Sequence, residues 1–231
     1  MEKRKNIFFD FEVTDDEWLF GYMDEQENYN YILNDRQSLI NFIEINKEDS
    51  IFIGFNNKYY DNYVLKCLWY NIEPSKINYW SIEQGNEPWK LPELQYKKNI
   101  PGFVTFDVFA NVFGTSLGSL KEAEANMGMS IEEMPSFKID EDMIWYNRHD
   151  CLATKKLFEA IGGYTVKQTL FDAYQLPYSL LNKSNPQIGA VMLSTESIVQ
   201  KKSFKYKKPK CITIKDSTIV VFFQNHQFTL N

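Results

Sequence analysis

Residues 51–55 form a continuous apolar run, Ile-Phe-Ile-Gly-Phe, with polar residues on both sides. A strand of this composition is typically buried on both faces of its sheet, so helices must cover the sheet from above and below. Three short apolar segments precede it, at residues 6–11, 17–23 and 29–33, and acidic turns separate them. Their close spacing predicts an antiparallel meander. We therefore expect an α/β layer fold.

Helical patterns fill the intervals between the predicted strands. Asp35 can cap a helix whose apolar residues recur at helical spacing, and residues 59–70 predict a second helix after the buried run. Residues 73–101 contain four prolines and show no sustained period, so this stretch predicts an extended loop or insertion.

The second half of the chain is mainly helical by the same criteria. A strand is predicted at residues 103–109, followed by a helix that Ser119 caps and Gly128 closes. The longest helix is predicted from Asp140 to about residue 160. The remaining segments are predicted as helices at residues 166–174 and 187–199 and as β segments at residues 211–214 and 218–223.

Composition limits the class of protein. No apolar run approaches the roughly 20 residues that cross a bilayer, and the charged first residues do not resemble a secretory signal, so we expect no membrane partner. Cys67, Cys151 and Cys211 match neither a disulfide framework nor a zinc site, which favours a reducing, cytoplasmic compartment. The chain has only two histidines, so carboxylates must supply most ligands of any metal ion.

Charge is distributed unevenly along the chain. The formal net charge is −6, yet residues 200–231 contain seven lysines and one aspartate. An acidic body with a basic segment is compatible with nucleic-acid binding, because charge acts over about 8–10 Å in salt. The lysines of residues 201–210 are interleaved with aromatic residues, which suits either contact with a DNA backbone or a solvated connector.

Two acidic residues lie at the end of the first predicted strand. Asp10 and Glu12 share one face of that strand, because residues two apart point the same way, and Phe11 points to the other face. Two carboxylates at one point repel each other unless a cation lies between them. A solvated strand end is the alternative interpretation.

Two further motifs contain acidic residues. Asn57 and Asp61 follow the buried strand at the edge where ligands gather in α/β sheets, although a helix cap explains the same residues. Tyr146 and Asp150 are four residues apart in the longest helix and so share one helix face, where a solvated pair is the alternative. His149 lies off that face, which favours a structural or surface position.

The order, spacing and setting of these motifs resemble the 3′→5′ exonuclease superfamily of RNase H-like fold. The resemblance is closest to the proofreading domain of phage-type family B DNA polymerases and covers about residues 6–160. The family pattern is Asp-x-Glu on the first strand, then Asn-x-x-(Phe/Tyr)-Asp, then Tyr-x-x-x-Asp on a late helix. Further similarity is found at residues 105–108, 119–121, 127–128 and 178–193.

The resemblance implies a mixed central sheet flanked by helices, with a small β appendage at the C-terminus. It divides the chain into an exonuclease domain at residues 1–162, a helical linker at residues 163–199, and a basic link with the appendage at residues 200–231. A truncated polymerase, a split gene and a stand-alone exonuclease are all compatible with this division.

The resemblance also implies a reaction, which is hydrolysis of the 3′-terminal phosphodiester of single-stranded DNA. Asp10, Glu12, Asp61 and Asp150 would be the ligands, and their hard oxygens favour two Mg²⁺ or Mn²⁺ ions over zinc. Asp10 would bridge both ions, Glu12 and Asp150 would complete the ion on the nucleophile side, and Asp61 would act on the second ion. Tyr146 would orient the attacking water, because its ordinary pKa of about 10 makes it a poor base.

Substrate contacts and partners are implied in the same way. Asn57 and Tyr60 match family positions that hold the strand end, and Lys121 lies where some phage members keep a lysine near the scissile phosphate. Many members have Thr directly after the Glu, whereas here Val13 intervenes before Thr14, the residue that would make the corresponding substrate contact. The implied partners are a single-stranded DNA 3′ end, a polymerase domain and replication proteins, in a bacterial or phage-infected cell. The alternatives are a catalytically silent nucleic-acid-binding module of the same fold and an exonuclease that acts on RNA.

Overall fold

The computed structural model of the chain describes residues 4–112, 118–135 and 138–194, together with strand residues 214–215, 218–223 and 226–230. The chain divides into two compact units, Met1–Gly189 and Ala190–Asn231. The domain division predicted from the sequence at residues 162 and 199 stays a prediction, and the lysine-rich residues 201–210 lie outside the described residues.

The described part of the first unit begins with three consecutive strands, and most of its helices follow the last strand. The strands are β1 (Lys5–Val13), β2 (Trp18–Met23), β3 (Tyr29–Leu33), β4 (Ser50–Gly54) and β5 (Thr105–Asp107). The helices are α1 (Arg36–Asn46), α2 (Asp61–Trp69), α3 (Ser75–Ile77), α4 (Val108–Val112), α5 (Leu120–Met127), α6 (Glu141–Ala160), α7 (Thr165–Tyr174) and α8 (Asn185–Ser194), the last of which continues into the second unit. A π-helix covers Asn78–Glu83, and 3₁₀ turns cover Pro88–Lys90, Pro92–Leu94 and Tyr178–Leu180.

The central sheet is mixed. Its strand order is β3-β2-β1-β4-β5. The first three strands form the predicted antiparallel meander, and β4 and β5 run parallel to β1. The predicted α/β fold with a mixed sheet flanked by helices is therefore confirmed.

One face of the sheet packs against α1 and α2. Phe9, Phe11 and Phe52 are almost completely buried there and form one cluster with Leu39 of α1 and Leu65 of α2. Burying a phenylalanine side chain stabilises a fold by about 1.5–3 kcal/mol. This aromatic layer therefore holds the two helices on the sheet and fixes the direction in which β1 presents its alternate residues.

The opposite face packs against α6. Phe8 of β1 and Phe106 of β5 both contact Phe158, with ring centroids 5.5 and 5.7 Å apart, and Leu19 of β2 packs against Met143. Since Phe8, Asp10 and Glu12 alternate with Phe9 and Phe11 along β1, the two acidic residues lie on the α6 side of the sheet.

The ends of the helices agree with the sequence in most places. The predicted caps Asp35 and Ser119 each accept a hydrogen bond from the backbone N–H three residues further on, at 3.0 and 3.1 Å. Asp140, at which the longest helix was predicted to begin, does the same at 3.2 Å. Gly128 adopts the left-handed conformation, with a φ of 70°, as expected of a residue that closes a helix.

Two segments differ from the sequence-based expectation. The strand predicted at residues 103–109 ends at Asp107, because the Asp107 carboxylate accepts from the N–H of Ala110 at 3.2 Å and so caps α4. The extended loop predicted at residues 73–101 contains several short helical turns, and Pro88 and Pro92 each begin one of them, as proline favours a first helical position.

The second unit contains a three-stranded antiparallel sheet of β6 (Ile214–Lys215), β7 (Thr218–Phe223) and β8 (His226–Leu230). The β segment predicted at residues 218–223 is confirmed, whereas β8 was not expected from the sequence. Residues 211–213 and 195–199, for which a strand and a helix are predicted, lie outside the described residues. None of the described helices is long and apolar enough to cross a membrane.

Candidate active site

Three carboxylates converge at the end of β1. Oxygen atoms of Asp10, Glu12 and Asp150 all lie within 4.8 Å of one another. Asp10 and Glu12 come from the face of β1 that α6 covers, and Asp150 comes from the middle of α6 itself. Gly21 of β2 lies opposite Asp10 and leaves space for the α6 side chains. Asp10 and Asp150 are 140 positions apart in the sequence. The structure brings three of the four predicted ligands together, and their role as metal ligands stays a prediction.

The fourth predicted ligand, Asp61, lies at the first turn of α2. It is buried, and its Oδ1 accepts a hydrogen bond from the N–H of Phe11 at 3.1 Å. Asp61 is not part of the group within 4.8 Å, but its charge contributes to raising the pKa of Asp10. Asp61 therefore borders the group and also anchors α2 to the end of β1.

Asp61 and all three carboxyls of the group bind their protons more tightly than usual. Burial, followed by repulsion from Glu12, Asp61 and Asp150, raises the pKa of Asp10 well above its ordinary value. Burial raises the pKa of Glu12 to about 6 and that of Asp150 to about 8. Burial raises the pKa of Asp61 to about 7, although the hydrogen bond from Phe11 opposes this shift.

This donor set fits a hard divalent cation. The group contains carboxylate oxygens and neither sulfur nor imidazole, which is the ligand chemistry that Mg²⁺ and Mn²⁺ prefer. A bound cation would also offset the repulsion that raises these pKa values. Asp10, Glu12 and Asp150 are the residues that would hold it.

Asn147 of α6 belongs to the site, although the sequence motifs do not identify it. Its Nδ2 donates to Asp10 Oδ2 at 3.0 Å and to Glu12 Oε1 at 3.4 Å, and the side chain is fully buried. The Tyr29 hydroxyl donates to Asn147 Oδ1 at 2.9 Å. A Cβ on Gly21 would come within 1.6 Å of that oxygen, so a larger residue at position 21 would displace the amide.

A local signal for Asn147 does exist in the sequence. It lies three residues before Asp150, and residues three apart in a helix share one face. A polar residue on a face that already carries a predicted ligand is therefore a candidate for the same site.

Tyr146 is half-buried and lies close enough to Asp150 for each group to shift the pKa of the other. Burial, with repulsion from Asp150, raises the pKa of the Tyr146 hydroxyl above its ordinary value. The phenol therefore keeps its proton at neutral pH and is available as a donor or an acceptor, but not as a phenolate base.

His149 does not join the carboxylate group. It is buried, its Nε2 lies 3.2 Å from Oε1 of the buried Glu124, and its ring stacks on Trp145 with centroids 5.8 Å apart. Of the two positions expected for His149, structural or surface, the structure shows the structural one, where it joins α5 to α6.

Lys121 lies on α5 at the rim of the site. Its ammonium group contacts the carboxylate of Glu133, and its charge lowers the pKa of Asp150. Lys121 is thus close enough to act electrostatically on the site, and its predicted contact with a phosphate stays a prediction.

The other predicted substrate contacts have partners inside the protein. Asn57 is buried and its Nδ2 donates to the carbonyl of Phe106 at 3.3 Å, while its Oδ1 has no partner among the described residues. The Tyr60 hydroxyl donates to the side-chain oxygen of Asn78. Thr14 closes the turn after β1, with its hydroxyl accepting from the N–H of Glu17 at 3.0 Å. Their roles toward a substrate stay predictions.

No protein-family model matches the chain, and comparisons with curated proteins and with solved structures give no significant match.

Proposed function

We propose that the chain is a two-metal-ion 3′→5′ exonuclease of RNase H-like fold that hydrolyses the 3′-terminal phosphodiester of single-stranded DNA. The observation that carries the proposal is the convergence of Asp10, Glu12 and Asp150 within 4.8 Å, with buried Asp61 beside them. Elements far apart in the sequence supply these carboxylates. The four carboxylates are the acidic residues of the three motifs that resemble the proofreading exonucleases.

Different residues of the chain would have different roles in such a reaction. Asp10, Glu12 and Asp150 would hold one divalent ion, and Asp61 would reach the second ion. When bound, such ions neutralise charge at the phosphodiester and lower the pKa of a bound water. Tyr146, which keeps its proton, would orient the attacking water by a hydrogen bond, and Asn147 would hold Asp10 and Glu12 in position.

The resemblance assigns the substrate and the partners. It favours DNA over RNA, a single-stranded 3′ end over a paired end, and the setting of a replicative polymerase in a bacterial or phage-infected cell. A duplex end must fray before its terminal nucleotide can reach such a site, and extracting a paired base costs a few kcal/mol. We therefore expect slower hydrolysis of paired ends than of single strands.

A direct test uses single-stranded DNA labelled at its 5′ end, with Mg²⁺ or Mn²⁺ and with EDTA. We expect a ladder of products that shorten from the 3′ end and no product in EDTA. Asp49→Ala is a matched control, because Asp49 is exposed at the opposite end of the sheet. Cleavage of a closed circular strand, or a preference for RNA of the same sequence, would contradict the proposal.

A further inference from the structure

One cavity of the described residues is lined by none of the carboxylates of the candidate active site. It has a volume of about 230 Å³ and lies between the outer side of α2 and the segment that leads into β5. Lys58, Asn62, Tyr63, Lys66, Phe103 and Thr105 contribute to its wall. None of the described residues that line it is acidic, so the cavity favours an anionic ligand over a cation.

Lys66 lines this cavity and has no carboxylate counter-ion among the described residues. It is half-buried, burial lowers the pKa of its ammonium group, and no described carboxylate lies within 4.0 Å of it. A partly desolvated charge without a counter-ion is unfavourable. Lys58 lines the same cavity from the loop before α2, and no described carboxylate lies within 4.0 Å of its ammonium group, although its charge lowers the pKa of Asp107.

Asn62 also lines this cavity and has a side-chain oxygen without a hydrogen-bond donor. It lies four positions before Lys66 and therefore on the same face of α2. Its Nδ2 donates to Thr105 Oγ1 at 3.3 Å, which orients the amide, and its Oδ1 is buried without a hydrogen-bond partner. A buried acceptor without a donor is costly, so a ligand that carries an N–H or O–H group would complete it.

We propose that this cavity binds a nucleotide through its phosphate. Lys58 and Lys66 would bind the phosphate, and Asn62 Oδ1 would accept from a base N–H or a sugar hydroxyl. Tyr63 and Phe103 supply aromatic surface for the base. Because pockets that enclose drug-sized ligands measure about 300–1,000 Å³, a cavity of this size leaves part of the nucleotide exposed.

The ligand could come from two sources with the same chemistry. One is a free nucleoside monophosphate, the class of product that the proposed exonuclease releases. The other is a nucleotide within a bound DNA strand. Neither source needs the carboxylate group or a metal ion, so the assignment extends beyond the proposed function and does not depend on it.

The test is calorimetric titration in EDTA of the wild-type protein with thymidine monophosphate, thymidine and inorganic phosphate. We expect one saturable site for the nucleotide and binding at least about 10-fold weaker for thymidine and for phosphate. Lys66→Gln should weaken nucleotide binding by about 10-fold or more, the loss expected for one charged hydrogen bond. Lys66→Arg should retain most of the affinity.

Two control variants separate this site from other causes. Lys90→Gln removes the same charge from an exposed lysine that pairs with Glu87, and it should bind the nucleotide like the wild type. Asp10→Ala should also leave nucleotide affinity unchanged in EDTA. Thermal unfolding of each variant shows whether a loss of binding reflects a loss of fold.

Several results would overturn the assignment. These are no saturable nucleotide binding, phosphate binding as tight as the nucleotide, or equal affinities in Lys66→Gln and Lys90→Gln. An octathymidylate that binds at least as tightly as the monophosphate and loses the same factor in Lys66→Gln would identify a DNA strand as the source, and binding of the monophosphate alone would identify the free nucleotide. Nucleotide binding without any hydrolysis of DNA would contradict the proposed exonuclease and leave this assignment intact.

Discussion

Asn147 of α6 donates a hydrogen bond from Nδ2 to Asp10 Oδ2 of β1, across 3.0 Å and 137 residues of sequence. The hydroxyl of Tyr29 donates to Oδ1 of the same amide at 2.9 Å. This hydrogen bond orients the Asn147 side chain so that Nδ2 faces the carboxylates. An amide is a neutral donor and can hold two carboxylates together without forming an ion pair that would compete with a metal ion. The positions of Asp10 and Glu12 therefore depend on a contact that spans most of the first unit.

Replacing Asn147 by Leu tests this dependence, because Leu has a similar size and no hydrogen-bonding group. The Tyr29 hydroxyl would be left without its acceptor and Asp10 without its donor, so we expect a loss of roughly 1–3 kcal/mol in the free energy of unfolding. We also expect kcat for DNA hydrolysis to fall by roughly 10–100-fold, because the ligands are no longer held in place. Chemical denaturation and single-turnover kinetics measure the two effects.

The matched control is Asn41→Leu, at an exposed position of α1. A surface change of this kind should alter stability by no more than about 0.5 kcal/mol and leave kcat unchanged. Full kcat in Asn147→Leu would show that the amide does not position the carboxylates.

Gly21→Ala should disturb the same amide from the other side. The added Cβ would lie 1.6 Å from Asn147 Oδ1 and 2.8 Å from the Tyr29 hydroxyl oxygen. Such overpacking typically costs about 1–3 kcal/mol, and we expect kcat to fall with it. Gly189→Ala is the control, because a Cβ there meets no atom within 4 Å and the change favours helix α8 by up to about 1 kcal/mol. Equal thermal stability of the two variants would contradict the predicted clash.

Local sequence patterns were sufficient for most of the fold. Alternation along β1 places Phe9 in the aromatic layer and Asp10 on the opposite face, because side-chain direction in a strand depends only on position. The caps Asp35 and Ser119 were identified in the same way, since a cap bonds to a residue three positions away. These features are set by neighbours in the sequence.

The parts that were missed depend on distant residues. The roles of Asn147 and Gly21 follow from the packing of α6 on β1 and β2. Helical spacing places Asn147 on the same face as Asp150, but no local pattern predicts which strand residues it meets. Asp107 shows the same limit, because its carboxylate accepts from the N–H groups of Asn56 and Lys58 at 3.2 and 2.9 Å. That contact fixes the loop before α2 and cannot be read from the residues around Asp107.

Tyr146→Phe and Asp150→Ala should separate the orientation of water from the binding of metal. Removing the Tyr146 hydroxyl should lower kcat by roughly 10²-fold, as is typical of one positioning group, and leave Mn²⁺ affinity unchanged. Removing the Asp150 carboxylate should weaken Mn²⁺ binding as well as hydrolysis, because Asp150 lies within the group of three. Isothermal titration with Mn²⁺ distinguishes the two, and unchanged Mn²⁺ affinity in Asp150→Ala would show that Asp150 is not a ligand.

Asp10→Ala should abolish hydrolysis without lowering the stability of the metal-free protein. Burial and repulsion by three neighbouring carboxylates both raise the pKa of Asp10, so removing this group relieves an unfavourable arrangement. We expect a melting temperature in EDTA equal to or above that of the wild type, and no product ladder with Mg²⁺ or Mn²⁺. Turnover at the wild-type rate would show that the catalytic site lies elsewhere.

The stability of the metal-free protein should depend on pH because the carboxyls of the site have raised pKa values. In the folded protein the pKa is about 6 for Glu12, about 7 for Asp61 and about 8 for Asp150, against about 4 in an unfolded chain. At pH values between the unfolded pKa of about 4 and the folded pKa values of about 6 to 8, the folded state therefore binds more protons than the unfolded state. Linkage requires that the resulting stabilisation is complete below about pH 4 and is lost as the pH rises through the folded values.

Metal-free protein should therefore melt at a lower temperature at about pH 8.5 than at about pH 5.5. We expect a loss of at least about 1 kcal/mol, which corresponds to roughly 2–4 °C for a chain of this size. Adding Mn²⁺ at the higher pH should reverse the loss, because the cation binds the deprotonated carboxylates of the folded state. Asp10→Ala should flatten the pH dependence and Asp49→Ala should keep it. A melting temperature in EDTA that rises over this pH range would show that the carboxylates are not held close together in the absence of metal.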